Sequence, residues 1–235
     1  MKFLFFAIIA CFFSLPILAQ ENNDEEQITI IDSLYREDQF YVGFSFNLLG
    51  DLPRKVSQSG FSGGAHLGFI RDMPVNEART LALGIGLGWS INTYGQNLFI
   101  GENEGGETIF QALDKNEVAF DTNRFTSYLV EAPIEFRWRS STPADFNFWR
   151  VYAGLKPGYI YYFKSNFKQH NNQVVQTKLD ELNRFRLGAT LAVGYSKVNF
   201  YFYYSLNPFF DGKTRFSQET IGVKTFKIGL MFYIL

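Results

Sequence analysis

Apolar and polar residues alternate in several long stretches of this chain. Between Arg79 and Tyr94, every second residue from Leu81 to Ile91 is large and apolar, and the residues between them are small or polar. Similar alternation recurs at Asn183–Ser196 and at Val223–Leu235. Because successive side chains of a β-strand point to opposite faces, this period of two residues predicts strands with one apolar and one polar face.

The alternation predicts eight strands. They lie at about residues 41–49, 60–71, 79–94, 125–139, 148–163, 183–196, 198–207 and 223–235. The connections between them alternate between long and short, at about 50–59, 72–78, 96–124, 140–147, 164–182, 197–198 and 208–222. Outer-membrane barrels have short turns on one rim and longer loops on the other. The chain therefore predicts an all-β fold, an eight-stranded antiparallel up-and-down transmembrane barrel, with both termini at the short-turn rim.

Alternation alone does not tell which face points outward, since a soluble carrier barrel is apolar inside and a membrane barrel is apolar outside. Glycine and alanine are frequent on the polar faces, as a narrow lumen requires if large side chains are to fit. The apolar faces end in aromatic residues such as Trp89 and Trp138, which suit membrane interfaces. The final stretch 223–235 has no polar residues after it. These features favour the membrane barrel, and the pattern over 148–163 places Phe163 on the outward face.

The first residues predict an export signal. Met1–Lys2 gives a positive start, Phe3–Leu18 is almost wholly apolar, and Ala19 is a small residue before the expected cut. The apolar run of about 16 residues is short for a membrane-spanning helix, which needs roughly 20, and Pro16 interrupts it. A lipoprotein signal around Cys11 is an alternative, although apolar sequence continues past that cysteine. We expect a signal peptide at 1–19, an acidic periplasmic leader at 20–39 and the barrel domain at 40–235.

Composition narrows the classes of function. Cys11 is the single cysteine, and cleavage of the expected signal peptide removes it. The mature chain is therefore expected to have no disulfide, thiolate nucleophile or cysteine metal site. The formal net charge of -1 does not favour a nucleic-acid partner. We expect no cofactor and no metal, and outer-membrane lipid as one partner.

Ionisable residues of both signs fall on the polar faces of adjacent predicted strands. They are Glu131, Glu135, Arg137, Arg139, Arg150, Lys156, Arg184 and Arg186, and Lys227 joins them from the last strand. Charges inside a narrow barrel must pair, because an unpaired buried charge is costly. We interpret the set as a structural network that fills the lumen. The alternative is a selective pore or a small-ligand site, which the narrow bore of eight strands disfavours.

Catalytic candidates are few. General acid–base chemistry needs a histidine or carboxylate near a nucleophile or an activated water, and the chain has two histidines. His66 falls on the polar face of its strand, where a hydrogen-bonded lumen histidine is expected, and His170 falls in a predicted outer loop. The alternate glycines of 84–88 continue a strand and do not open a helix, so they are not a nucleotide-binding motif. We expect no catalytic residues and no enzymatic activity.

Two predicted outer loops are candidates for recognition, since binding residues often lie on loops held by a rigid scaffold. The loop at 99–123 contains an acidic, glycine-rich stretch at 101–107, and residues 169–176 are rich in amide side chains. The simpler interpretation of both is a solvated loop.

Two neighbouring strands carry a longer motif. Tyr128–Arg139 has the sequence YLVEAPIEFRWR, and Phe148–Tyr159 has the sequence FWRVYAGLKPGY. Together they resemble the PorT family of small outer-membrane barrel proteins of the Bacteroidota, which act in type IX secretion and gliding motility. The resemblance extends from about residue 40 to residue 235. Its signature residues in this chain are Glu131, Pro133, Glu135, Arg137, Trp149, Arg150 and Lys156.

The resemblance implies an accessory role in protein export across the outer membrane, with other secretion-machinery proteins as partners. It brings no catalytic residues with it. A general small barrel, whose outer loops mediate adhesion or ligand binding, is the alternative. Both hypotheses place the chain as an integral protein of the bacterial outer membrane with its N- and C-termini in the periplasm.

Overall fold

The computed structural model describes residues 38–114, 117–140, 148–215 and 218–234. The predicted signal peptide and nearly all of the predicted leader lie outside these described residues. The strands are β1 (Gln39–Gly50), β2 (Gly63–Pro74), β3 (Leu81–Gly95), β4 (Leu98–Glu102), β5 (Thr108–Ala112), β6 (Thr122–Glu131), β7 (Ile134–Arg139), β8 (Trp149–Gln169), β9 (Asn172–Gln176), β10 (Phe185–Tyr195), β11 (Val198–Ser205) and β12 (Lys224–Ile234). In this part of the chain, no helix has the length and apolarity needed to span a membrane.

A closed antiparallel barrel is the main element of the structure. Its strands pair in the order β1, β2, β3, β6 with β7, β8, β10, β11 and β12. The last strand then pairs with the first, from Phe40 opposite Ile234 to Gly50 opposite Lys224. Since β6 and β7 occupy one position in the wall, the barrel has eight strands. The predicted fold class and the closure of the barrel by the last strand are confirmed.

The interruption between β6 and β7 lies at Ala132 and Pro133. Proline has no backbone N–H and weakens a strand ladder where it occurs. Here the remaining groups still pair, because the Ala132 N–H donates to the Pro157 carbonyl at 2.8 Å and the Gly86 N–H donates to the Pro133 carbonyl at 3.0 Å. The alternation therefore continues through the interruption, and Glu131 and Glu135 both point into the barrel.

The connections divide between two rims. The strand ends that the short connections join, at Pro74, Arg139 and Tyr195, mark what we call the short-turn rim. The strand ends that the four longer connections join mark the long-loop rim. Two of the longer connections contain strands that the alternation did not predict. A hairpin of β4 and β5 lies in the connection before β6, and β9 pairs with the extended end of β8. The long-loop rim is thus a folded layer over much of its length.

The predicted outward position of Phe163 is wrong. The pairing of β6 with β8 shifts by one residue, because Tyr128 lies opposite Tyr162 while Leu129 lies opposite Ile160. A bulge of this kind leaves one residue unpaired and reverses the alternation beyond it. Phe163 consequently points inward and is 1% exposed.

The outer wall of the barrel carries the large apolar residues. On β1, for example, Phe40 and Phe44 are each 61% exposed, whereas Tyr41 between them is 2% exposed. A soluble barrel would have the reverse arrangement, because its apolar side chains fill the interior. The exposed residues form the surface that contacts lipid.

Candidate functional site

The lumen contains most of the buried ionisable side chains. They come from the inward positions of five of the eight barrel strands, with β6 and β7 counted as one, where strand alternation places them. Among the described residues these buried charged side chains are Asp72, Glu131, Glu135, Arg137, Arg139, Arg150, Lys156, Arg186 and Lys227. Cations therefore outnumber carboxylates two to one.

Asp72 organises the layer nearest the short-turn rim. Its carboxylate accepts hydrogen bonds from Arg137 at 2.9 Å and from Arg139 at 2.6 Å. The Arg137 guanidinium also donates to the Gln39 side chain, and it lies 4.0 Å from the centre of the Tyr152 ring. One carboxylate thus holds two guanidinium groups, and an amide and an aromatic face complete the surroundings of Arg137.

Glu135 and Arg150 lie near this layer. The Glu135 carboxylate is 3.9 Å from Arg137 Nε. Arg150 donates to the Ser196 carbonyl at 2.6 Å and lies over the Phe148 ring at 4.4 Å. It therefore stabilises the turn between β10 and β11. Its neighbour Trp149 points outward and is 57% exposed.

Glu131 is the carboxylate of the middle layer. Lys156 Nζ and His66 Nδ1 each lie 4.0 Å from Glu131 Oε2. Lys156 also donates to the Tyr201 hydroxyl at 2.9 Å. Lys227 points into the same layer with its ammonium 4.5 Å from the centre of the Tyr203 ring. This layer therefore brings two ammonium groups and an imidazole around a single carboxylate.

The contacts of His66 include an arrangement that looks like hydrolytic machinery. His66 Nε2 lies 3.0 Å from Ser45 Oγ, on the side of the ring opposite Glu131. However, the 4.0 Å separation of His66 and Glu131 is longer than a hydrogen bond. Ser45 Oγ also donates to Asn47 Oδ1 at 2.8 Å. Since Ser45, His66 and Glu131 are at most 9% exposed, a substrate has no access to the hydroxyl. The arrangement is a buried polar network.

Arg186 lies at the end of the lumen nearest the long-loop rim. It donates to the Pro208 carbonyl, to the Asn207 carbonyl at 3.1 Å and to Ser205 Oγ at 3.0 Å. Arg184 precedes β10, is only partly buried, and donates to the Ile160 carbonyl at 3.2 Å. The structure therefore places these two arginines at loop attachments, apart from the carboxylates of the lumen.

An aromatic cluster fills the barrel where it meets the long-loop rim. Phe125 is its centre, with ring centroids 4.9 Å from Tyr94, 5.0 Å from Phe209 and 5.4 Å from Phe210. Phe163, turned inward by the bulge, lies 5.8 Å from Phe125. We call these five residues the aromatic plug. The alternation of apolar and polar residues does not predict this plug, and the adjacent phenylalanines at 209 and 210 in a connection were the signal that could have indicated it.

A cavity of about 760 Å³ lies among the long-loop connections. Its walls include three cations and two carboxylates, which are Arg54, Lys55, Arg215, Asp114 and Glu117. Asn97 fixes its base, because its side chain donates to the Lys55 carbonyl at 2.9 Å and to the Leu113 carbonyl at 2.8 Å. The volume falls in the range of small-molecule sites, which is roughly 300–1,000 Å³.

No group of three or more histidine, cysteine or acidic side chains suited to a metal ion occurs within the described ranges.

Residues 18–211 match the family model described as an outer membrane protein beta-barrel domain. Because the match covers most of the chain, the protein belongs to that family, and its location is the outer membrane. Among curated proteins, none matches the chain.

Proposed function

We propose that this protein is an accessory component of a protein secretion system in the outer membrane, similar to PorT of type IX secretion and gliding motility. The resemblance at 128–139 and 148–159 supports this proposal. These two stretches form neighbouring strands, with Glu135 of one opposite Gly154 of the other. The signature charges thus point into the lumen from one side of the barrel wall, in two successive layers.

The filled lumen is the observation that carries the accessory role. Charged layers around Asp72 and Glu131 occupy the barrel, and the aromatic plug follows them toward the long-loop rim. An eight-stranded barrel has room for little beyond its own side chains. The protein therefore acts through its surfaces, by contact with other components of the machinery, and not as the conduit.

Orientation is part of the proposal. We propose that the signal peptide at 1–19 is removed, that the leader at 20–39 is periplasmic, and that both termini and the short-turn rim face the periplasm. Cys11 is the chain's one cysteine, so an introduced cysteine can be labelled selectively. A membrane-impermeant maleimide applied to intact cells is expected to label Gly105→Cys on the long-loop rim and to leave Glu77→Cys on the short-turn rim unlabelled. The opposite labelling would overturn the orientation.

Gene deletion tests the function. The expected result is loss of secreted enzymes from the medium and loss of surface motility, with both restored by the wild-type gene. Copurification of the tagged barrel from native membranes is expected to yield secretion-machinery proteins. Normal secretion in the deletion strain would contradict the proposal.

A point variant separates a functional lumen from a structural one. If Glu131→Ala abolishes export while the barrel still shows heat-modifiable migration on a gel, the lumen charges have a role in secretion. If export and migration are lost together, the charges act through folding.

Loop-mediated adhesion or ligand binding is the second candidate. The cavity at the long-loop rim favours it, because charged side chains of both signs, among them Arg54 and Lys55, line a space large enough for a small polar ligand. Under this alternative, deletion leaves secretion intact and lowers adhesion to surfaces. The double variant Arg54→Gln with Lys55→Gln should then reproduce the adhesion defect.

A further inference from the structure

A polar groove lies on the outer wall of the barrel where β3, β6 and β8 run side by side. Its volume is about 310 Å³. Ile91 and Tyr128, which lie opposite each other, form its apolar end. Thr93 and Thr126 form its floor, with their hydroxyls 3.0 Å apart.

Two cations flank this groove. Arg124 precedes Thr126 by two residues on β6, toward the long-loop rim, and Lys164 on β8 lies directly opposite Thr126. Both side chains are exposed, while their neighbours Phe125 and Ser165 point inward and are each 1% exposed. The cations therefore belong to the surface that surrounds the barrel and not to the lumen.

The bulge in β8 is what turns Lys164 outward. Without the register shift at Tyr161 and Tyr162, strict alternation from Trp149 would point Lys164 into the barrel. Bulges commonly redirect a side chain in this way. The same irregularity that moves Phe163 into the aromatic plug thus places Lys164 beside Arg124 on the outer wall.

The groove lies at the edge of the lipid-facing band. On the continuous strand of β6 and β7, Trp138 and Tyr128 are ten positions apart, which in a tilted strand spans about 25 Å, the height of the apolar band in such barrels. Arg124 lies four positions beyond Tyr128, roughly 10 Å farther along the barrel axis. Arg124 therefore lies at the depth of the lipid headgroups, and the long side chains of arginine and lysine can place their charges among the headgroup phosphates.

The charge of the groove is unbalanced. Neither aspartate nor glutamate is among its lining residues. Within the described residues, no carboxylate forms an ion pair with Arg124 or Lys164. At the same rim on another part of the wall, by contrast, Lys224 Nζ lies 3.2 Å from the Asp51 carboxylate. The two cations, the free proton of the threonine pair and the Asn166 amide N–H groups are donors suited to a phosphate.

We propose that this groove binds the phosphate of a lipid headgroup in the membrane leaflet at the long-loop rim. Arg124 and Lys164 bind the phosphate oxygens, and Ile91 and Tyr128 contact the acyl chains below. One threonine hydroxyl of the floor also donates to the phosphate, while the other uses its proton in the Thr93–Thr126 hydrogen bond. The lipid is fixed to the wall beside the folded long-loop layer. The site does not depend on the secretion role, and it holds if that role fails.

Native mass spectrometry of the full-length barrel, purified in a neutral detergent, tests the site. Diphosphoryl lipid A is the titrated probe, and its dephosphorylated form and inorganic phosphate are compared with it. The double variant Arg124→Gln with Lys164→Gln is expected to weaken lipid A binding roughly 25-fold, since each basic residue near an anionic membrane surface contributes about a factor of five. The matched control Lys224→Gln removes a paired cation from the same rim and should change binding less than twofold. Heat-modifiable migration verifies that each variant is folded.

Three results would overturn the site. One is a double variant that binds diphosphoryl lipid A as tightly as the wild type does. Another is equal binding of the dephosphorylated lipid, which would show that the phosphate is not recognised. The third is complete displacement of the lipid by inorganic phosphate, which would indicate a free-anion site instead of a lipid site.

Discussion

Arg137 donates a hydrogen bond to Asp72 across 2.9 Å, at a point in the lumen where neither side chain is exposed. The two residues belong to β7 and β2, which are separated by β3. Arg137 can cross β3 because Gly84 lies beneath it, where an added Cβ would stand 2.6 Å from Arg137 Cδ. A glycine on the polar face thus makes room for a long side chain that links two strands.

Loss of the Asp72 carboxylate should strongly destabilise the barrel. Asp72→Asn leaves two buried guanidinium groups without their shared anion, and breaking a buried ion pair in this way costs about 3–5 kcal/mol. Urea unfolding in detergent micelles measures the change in the free energy of unfolding. Asp51→Asn, which removes the exposed partner of Lys224, is the control and should leave the free energy of unfolding nearly unchanged, because water screens the pair. Equal effects of the two substitutions would contradict a central role for Asp72.

The two lysines of the middle layer should differ in their response to substitution. Lys227→Met is expected to be neutral or slightly stabilising, by up to about 1 kcal/mol. Its ammonium is buried against an aromatic ring, and Lys156 is the lysine that lies at ion-pair distance from Glu131. Glu131→Gln should cost about 3 kcal/mol, because it removes the carboxylate nearest Lys156 and His66. The double variant Glu131→Gln with Lys156→Met tests the coupling, and it should recover part of that loss. Strictly additive effects would show that the two residues do not interact.

The pairing of β1 with β12, which closes the barrel, should not tolerate a side chain at Gly229. A Cβ there would lie 2.0 Å from the Phe44 carbonyl oxygen on the neighbouring strand, and backbone cannot move aside as a flexible side chain can. Gly229→Ala is expected to lower stability by about 1–3 kcal/mol. The midpoint temperature of the heat-modifiable gel shift measures this. Gly222→Ala, where an added Cβ meets nothing within 4 Å, is the control and should leave the midpoint unchanged.

Phe210 should stabilise the packing of the long-loop connections, whereas the barrel wall should fold without it. Its ring lies 5.4 Å from Phe125 and 5.5 Å from Phe110, so Phe210→Ala opens a cavity between the wall and the β4–β5 hairpin. The expected cost is about 3–5 kcal/mol, as for other buried phenylalanines. Limited proteolysis should detect faster cleavage in the long-loop connections while heat-modifiable migration persists. Phe61→Ala, at a residue 76% exposed on the same rim, should not change the cleavage rate.

Alternation along the chain determined the barrel itself. Eight runs of period two and the alternation of long and short connections were sufficient to predict strand number, pairing order and closure, because they reflect the local requirement that lipid and lumen meet opposite faces of each strand. The same pattern predicted the inward positions of Glu131, Arg137 and Lys156. It also indicated that small residues must accompany them, as Gly84 beneath Arg137 illustrates.

Tertiary structure decided which inward residues meet and where alternation fails. Asp72 pairs with Arg137 across an intervening strand. The stagger between neighbouring strands brings these two residues to the same height, and the apolar and polar pattern within one strand does not reveal that stagger. The bulge at Tyr161 and Tyr162 depends on how β6 and β8 pair, so a single-strand pattern could not predict that Phe163 turns inward and Lys164 outward. The long connections fold over the barrel because their apolar residues find partners on other segments, and those contacts exist only once the wall has closed.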